Sequence, residues 1–72
     1  MENDQWFLRA LRTELRLSQE DVANASNLTQ GQISAFERGT ASPTDDERRA
    51  LVDAMVRRAA VRGLEILILE RR

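Results

Sequence analysis

Apolar residues recur every three to four positions near both ends of the chain, which is the spacing of one face of an α-helix. This spacing predicts a first helix from Asn3 or Asp4 to about Leu15, and a fourth helix that opens at Thr44. The core-facing positions predicted for these two helices are Phe7, Leu8, Leu11 and Leu15, then Leu51, Val52, Met55, Val56, Ala59 and Ala60.

The segment from Gln19 to Phe36 has the spacing of two short helices that cross steeply about a tight turn, as in a helix-turn-helix. Ala23 is small enough to let the two helices approach closely, and Asn27 can adopt the left-handed conformation that the turn needs. Ile33, together with Phe36, is expected to anchor the second of these helices in the core.

Capping residues mark where the helices begin and end. A Ser or Thr followed three residues later by an acid is a capping-box signature. Such pairs are Ser18 with Asp21 and Thr44 with Glu47. They predict a second helix over about 19–25, followed by a turn at 25–28. The third helix is expected to begin at its N-cap Thr29 and to end at Gly39, because glycine readily takes the left-handed C-terminal conformation.

The C-terminal segment is apolar at five of the six positions from Leu64 to Leu69. A helical stripe continues across Gly63, which favours one long helix or two abutting ones, but a short strand after Gly63 is also compatible with so short a run. The segment is too apolar to face water on a small domain, so we expect 61–72 to pack against a second copy of the chain. The predicted dimerisation residues are Leu64, Ile66, Leu67, Ile68 and Leu69.

Length and composition narrow the functional classes. Seventy-two residues allow one small domain, 1–72, without internal repeats or linkers. The sequence contains neither Cys nor His, which removes disulfides, zinc sites, thiol nucleophiles and imidazole bases, so we expect no enzyme, metal or cofactor. The start of the chain lacks a targeting signal and no apolar run could span a membrane, which predicts a soluble cytoplasmic protein.

The charge balance argues against a nucleic-acid ligand, whereas the predicted third helix argues for one. The net charge is −1, although DNA-binding domains are usually basic, so the distribution of the 11 Arg residues matters more than their sum. Gln30, Gln32 and Ser34 are predicted to point outward from the third helix, and amides suit the edges of base pairs.

Several motifs in register resemble the Cro/C1-type (XRE) helix-turn-helix regulators over about residues 5–60. They are Leu11-Arg12, the run from Leu17 to Ala23, the run from Ile33 to Gly39, and Ser42-Pro43. The resemblance implies an all-α, four-to-five-helix fold of the lambda-repressor type. Within the family the chain looks most like controller proteins of restriction–modification systems, and nearly as much like small phage repressors.

The resemblance also implies a function and a set of site residues. Such a protein is a sequence-specific transcriptional regulator that binds double-stranded DNA as a homodimer on a palindromic operator, here through a recognition helix at about 29–37. The implied DNA-binding residues are Gln19 on phosphate, Thr29 on the backbone, Gln30 on a base, the DNA-facing Gln32, Ser34 and Ala35, and Arg38 beside the backbone. Arg12 and Glu37 match a pair that forms a structural salt bridge in relatives.

Other interpretations of these residues stay open. Gln32 could serve the capping box of its own helix, and Arg9 with Arg16 could either reach phosphate or form a solvated charged face. Gly31 stands where relatives often carry a base-reading side chain, and Arg16 replaces a glycine, which predicts a non-glycine residue at positive φ. The acids that open the fourth helix would repel phosphate. The alternative function is a protein-binding module, such as an antitoxin or adaptor, that uses the same fold.

Overall fold

A computed structural model describes the backbone of residues 4–70 and the side chains of residues 7–70. Its elements are α1 (Asp4–Glu14), α2 (Gln19–Ser26), α3 (Gln30–Arg38) and α4 (Asp45–Glu70). Within residues 4–70 there is no strand, so the predicted all-α class is confirmed. The possible N-cap Asn3 lies outside the described residues.

The core forms where α1 and α2 pack against the first half of α4 and α3 packs against α1 and α2. Its buried residues are Leu8, Leu17, Val22, Ile33, Phe36, Leu51 and Met55, with Leu11, Leu15, Ala23, Leu28 and Val52 packed against them. Ile33 and Phe36 anchor α3 as predicted. Phe7 was expected in this core, but its side chain is 45% exposed, because it lies about 100° around α1 from the buried Leu8.

The predicted inner face of α4 is partly wrong. Val56 is 55% exposed and Ala60 is also exposed, whereas Ala54 is fully buried. The inward line runs through Leu51, Ala54 and Met55 and continues at residues 58 and 62, which are arginines. The buried apolar residues of α4 therefore end at Met55, before the helix leaves the body of the domain after Arg62.

Gly63 does not interrupt α4, which is a single helix of 26 residues. This resolves the choice between helix and strand for the C-terminal segment in favour of helix. At 1.5 Å per residue the helix is about 39 Å long, while the longest dimension of the described chain is 45 Å. Every residue from 63 to 70 is exposed, so this end of the helix projects beyond the packed body.

The capping boxes fix the starts of α2, α3 and α4. In each box, the hydroxyl of the N-cap residue accepts a hydrogen bond from the backbone NH of the residue three positions later. The side chain of that later residue in turn accepts a hydrogen bond from the backbone NH of the N-cap residue. The pairs are Ser18 with Asp21 (3.0 and 2.9 Å), Thr29 with Gln32 (3.0 and 2.9 Å) and Thr44 with Glu47 (3.0 and 2.9 Å). These contacts satisfy backbone donors that a helix leaves unpaired at its start.

Three residues with positive φ end the first three helices and set the direction of the chain after them. Arg16 follows α1 with φ 59°, Asn27 caps α2 with φ 67°, and Gly39 caps α3 with φ 81°. All three conformations were predicted from the sequence. The turn between α2 and α3 begins one or two residues later than predicted, because α2 continues through Ser26.

Candidate nucleic-acid interface

The helix α3 has one anchored side and one open side. Ile33, Phe36 and Glu37 are buried against the body. Gln30 and Gln32, in the first turn, are exposed, while Ser34 and Ala35 are half-buried at the edge of the same surface. The open side of α3 is therefore polar and rich in amides.

The two glutamines of the first turn differ in what their side chains already do. The Oε1 atom of Gln32 accepts from the backbone NH of Thr29 at 2.9 Å, so this oxygen is committed to the start of the helix. Thr29 uses its hydroxyl for the same capping box. Within the described part of the chain, Gln30 has no side-chain hydrogen-bond partner, so its amide is available to a ligand.

The C-terminal half of the open side carries a positive charge that is held in place. Arg38 donates a hydrogen bond from Nη1 to the Oγ atom of Ser34, one turn earlier in α3. The guanidinium therefore lies along the exposed edge of the helix instead of extending freely into solvent.

An ion pair between Arg12 and Glu37 joins α1 to α3. Arg12 donates from Nε to Glu37 Oε2 at 2.6 Å and from Nη2 to Oε1 at 2.8 Å, which is the bidentate geometry of strong charged pairs. Its third nitrogen donates to the carbonyl of Leu17 at 2.8 Å. The two side chains are only 14% and 6% exposed. Gln19, the first residue of α2, adds a hydrogen bond from Nε2 to Glu37 Oε1 at 3.0 Å.

Both members of this pair are held in their charged forms. Burial tends to raise the pKa of Glu37, but hydrogen bonds from Arg12 and Gln19 and the positive charge of Arg12 outweigh it, so the pKa is lowered. The hydrogen bond to Glu37 raises the pKa of Arg12 against the opposing effect of desolvation. The helices α1, α2 and α3 are thus joined by one charged and satisfied network.

A polar recess of about 240 Å³ lies over this network. Arg9, Arg12, Gln19, Glu37 and Arg38 line it. Arg9 and Arg38 are exposed, and the charge of Arg9 contributes to the lowered pKa of Glu37. The sequence left open whether Arg9 reaches phosphate or belongs to a solvated charged face; its position three residues before Arg12, on the same helix face, was the signal that it lies near the ion pair.

Arg16 does not share this surface in the way we expected. The helix α1 ends at Glu14, so Arg16 lies in the turn that follows and the face it was expected to share with Arg9 does not exist. The positive charges that line the recess are those of Arg9 and Arg12 in α1 and Arg38 in α3.

The acids at the start of α4 have partners of their own. Asp45 pairs with Arg48 at 3.0 Å, Asp46 approaches Arg49 at 3.8 Å, and Glu47 belongs to a capping box. These contacts, with the positive end of the helix dipole, offset part of the negative charge that would repel phosphate.

The residues expected to mediate dimerisation are all substantially exposed in one subunit. The exposed fractions are 59% for Leu64, 50% for Ile66, 47% for Leu67, 63% for Ile68 and 64% for Leu69. At 100° per residue these side chains point to almost all sides of the helix. Within residues 4–70, no helix is long and apolar enough to cross a membrane.

With this geometry in view, comparison with known proteins places the chain in a class. A helix-turn-helix family model matches residues 8–55, which is two-thirds of the chain. The chain belongs to this family of XRE-type DNA-binding regulators, and its four helices have the lambda-repressor-like fold. No curated protein and no solved structure matches the chain.

Proposed function

We propose that this chain is a sequence-specific transcriptional regulator that binds a palindromic operator as a homodimer, with α3 in the major groove. The observation that supports this best is the division of α3 into an anchored side and an open side. Ile33, Phe36 and Glu37 hold the helix, while Gln30 is exposed and without a partner among the described residues. A firmly held helix with a free amide in its first turn suits base reading.

Each residue of the open side has a role in this proposal. Gln30 reads adenine with both amide groups, a contact worth about 1–3 kcal/mol of discrimination. Ala35 offers its methyl group to thymine, and Ser34 contacts either a base or the sugar-phosphate backbone. Thr29 lies at the start of α3, where its position favours a contact with the DNA backbone. Gln32 caps the start of α3 through its Oε1 atom and presents its NH2 group to the groove.

The polar recess is the proposed phosphate contact. Gln19 and Arg38 lie there together with Arg9, which we add to the proposed interface because it lines the same recess. Two arginines at one point can attract phosphate even though the whole chain carries a net charge of −1. Backbone NH groups at the starts of α2 and α3 add donors that need no side-chain charge.

The C-terminal end of α4 is the proposed dimerisation element of a single domain spanning 1–72. Contiguous exposed apolar surface of this kind marks interaction sites, and closed homodimers use self-complementary patches. Two copies would then present their α3 helices to half-sites about 34–36 Å apart. A small chain with such an apolar end fits a cytoplasmic controller protein of a restriction–modification system, or a small phage repressor.

The test is the substitution Gln30→Ala, after the operator has been found by selecting bound sequences from random DNA. We expect the affinity for each half-site to fall about 5- to 150-fold, as a loss of 1–3 kcal/mol requires. The dimer loses the contact in both half-sites, so its affinity for the palindromic operator should fall by about the square of that factor, with non-specific binding and the dimer unchanged. Asn24→Ala is the matched control, because Asn24 is also an exposed amide but lies on α2. An unchanged footprint for Gln30→Ala would refute the role of α3.

A protein-binding function is the second candidate, and the exposed apolar end of α4 is the observation that favours it. An antitoxin or adaptor would use that surface for a different chain. The salt dependence of DNA binding separates the two, because a dimer that contacts phosphates loses affinity steeply as salt rises. Gel filtration with a neighbouring gene product provides the complementary measurement.

A further inference from the structure

Arg62 makes a long-range contact that joins α4 to the turn before α2. Its Nη1 atom donates to the backbone carbonyl of Arg16 at 2.5 Å, across 46 residues of sequence. Its Nη2 atom lies 3.4 Å from Oδ2 of Asp21, with which it forms an ion pair. One guanidinium therefore bridges two points on the helix-turn-helix.

Both contacted groups determine where α2 begins. Arg16 is the residue with φ 59° that redirects the chain after α1. Asp21 accepts the NH of Ser18 through the same Oδ2 atom and so closes the capping box. The hydrogen bond from Ser18 is the largest of the effects that lower the pKa of Asp21, and Arg62 and Arg58 add their positive charges. The contact thus holds α4 against the start of α2.

Arg62 lies at the point along α4 where the helix leaves the packed body of the domain. Arg62 is the last partly buried residue of the helix, and the eight residues after it are all exposed. Those residues extend about 12 Å further and include all five apolar side chains of the proposed dimerisation element. Any tilt of α4 relative to α2 is therefore carried to the surface through which two copies would meet.

We propose that Arg62 is a positioning residue that fixes the angle between the apolar end of α4 and the DNA-reading side of α3, and so sets the spacing of half-sites that the dimer accepts. This inference rests on the proposed function. Under that function, Arg62 makes the dimer selective for one operator geometry. The side chains of Arg62 and Asp21 are 34% and 27% exposed, so we expect their ion pair to contribute modestly to folding stability and to act mainly on the geometry of the dimer.

The first experiment measures that geometry without DNA. The chain has no cysteine, so Asn24→Cys, an exposed position on α2, gives one spin label per subunit. Pulsed electron-resonance measurements then report the distance between the two labels. We expect a single narrow distance distribution with Arg62 present, and one that is about twofold broader or clearly displaced for Arg62→Ala.

Arg49→Ala is the matched control, because it removes the same charge from an exposed side chain of the same helix. Arg62→Lys tests the bridge itself, since one ammonium group cannot span both acceptors in the same way. If Arg62→Ala does not fold, as judged by circular dichroism, Arg62→Lys takes its place in the comparison. A distribution for the folded Arg62 variant that equals those of the unsubstituted chain and Arg49→Ala would overturn the proposal.

The second experiment uses operators whose half-site spacing is changed by one base pair in either direction. We expect the preference for the native spacing to fall about tenfold in Arg62→Ala, with the affinity for a single half-site unchanged. An unchanged spacing preference would contradict the positioning role. Failure of the proposed function gives a different pattern, because the unsubstituted chain would then select no sequence or give no distance between labels.

Discussion

Replacing Glu37 by Ala should separate the structural role of the buried ion pair from the DNA-reading role of α3. In the structure Glu37 accepts three hydrogen bonds, two from Arg12 at 2.6 and 2.8 Å and one from Gln19 at 3.0 Å. Glu37→Ala removes all of them and leaves the Arg12 guanidinium, whose side chain is 14% exposed, with the carbonyl of Leu17 as its remaining partner.

The expected cost is large for a chain of this size. Removing one partner of a buried ion pair costs about 3–5 kcal/mol, and we expect the low end, about 3 kcal/mol, because Arg12 keeps one hydrogen bond. The total stability of 72 residues is roughly 4–11 kcal/mol. A loss of this size lowers the midpoint of thermal unfolding by roughly 12–24 °C.

The assay is urea unfolding followed by circular dichroism at one fixed protein concentration, because the proposed self-association would make stability depend on concentration. Arg12→Ala and the double variant complete a cycle that isolates the pair, and we expect a coupling energy of about 2–3 kcal/mol. Asp46→Ala is the matched control, since Asp46 is 94% exposed and lies 3.8 Å from its arginine; its cost should stay below about 0.5 kcal/mol.

A coupling energy below about 0.5 kcal/mol would refute the reasoning. The pair would then behave like an exposed surface contact, and the position of α3 would have to depend on Ile33 and Phe36 alone.

Three further predictions concern stability. The pKa of Glu37 is lowered in the folded state. Its contribution to the free energy of unfolding is therefore complete above the unfolded pKa of about 4.3 and is lost as the pH falls through the folded pKa. Urea midpoints measured between neutral and acidic pH should show this loss, and Glu37→Gln should reduce it. Arg16→Gly should stabilise the chain by about 1 kcal/mol, because glycine adopts φ 59° without strain and keeps the carbonyl that accepts from Arg62; an unchanged or lower urea midpoint would contradict this. Gly31→Ala should add up to about 1 kcal/mol, since the new methyl group would meet Thr29 Oγ1 at an ordinary 3.8 Å; a decrease in the thermal midpoint would show that the site is more crowded than it looks.

Local chemistry made most of the fold predictable. Capping pairs such as Ser18 with Asp21 act over three residues, so their spacing in the sequence is enough to locate the helix starts. The left-handed positions at Asn27 and Gly39 follow from residue type in the same way. The side of α3 that is buried follows from the spacing of Ile33 and Phe36.

The errors concern surfaces whose surroundings lie far away in the sequence. Val56 and Ala60 continue the apolar pattern of α4 but are exposed in the subunit, because periodicity describes a helix face without saying what covers it. The contact between Arg62 and Arg16 spans 46 residues, and no local pattern predicts it. The location of Arg9 in the recess likewise depends on how α1 packs against α3.

The exposed apolar end of α4 has a consequence for how the proposed regulator would respond inside a cell. The proposed association through this surface would be a second-order process, so at low abundance the population of paired chains would rise with the square of the chain's concentration. Promoter occupancy would then stay negligible while the chain is scarce and increase sharply once it accumulates. Under the proposed function, such a regulator would delay its own effect until enough copies had been synthesised, without any second component to measure time.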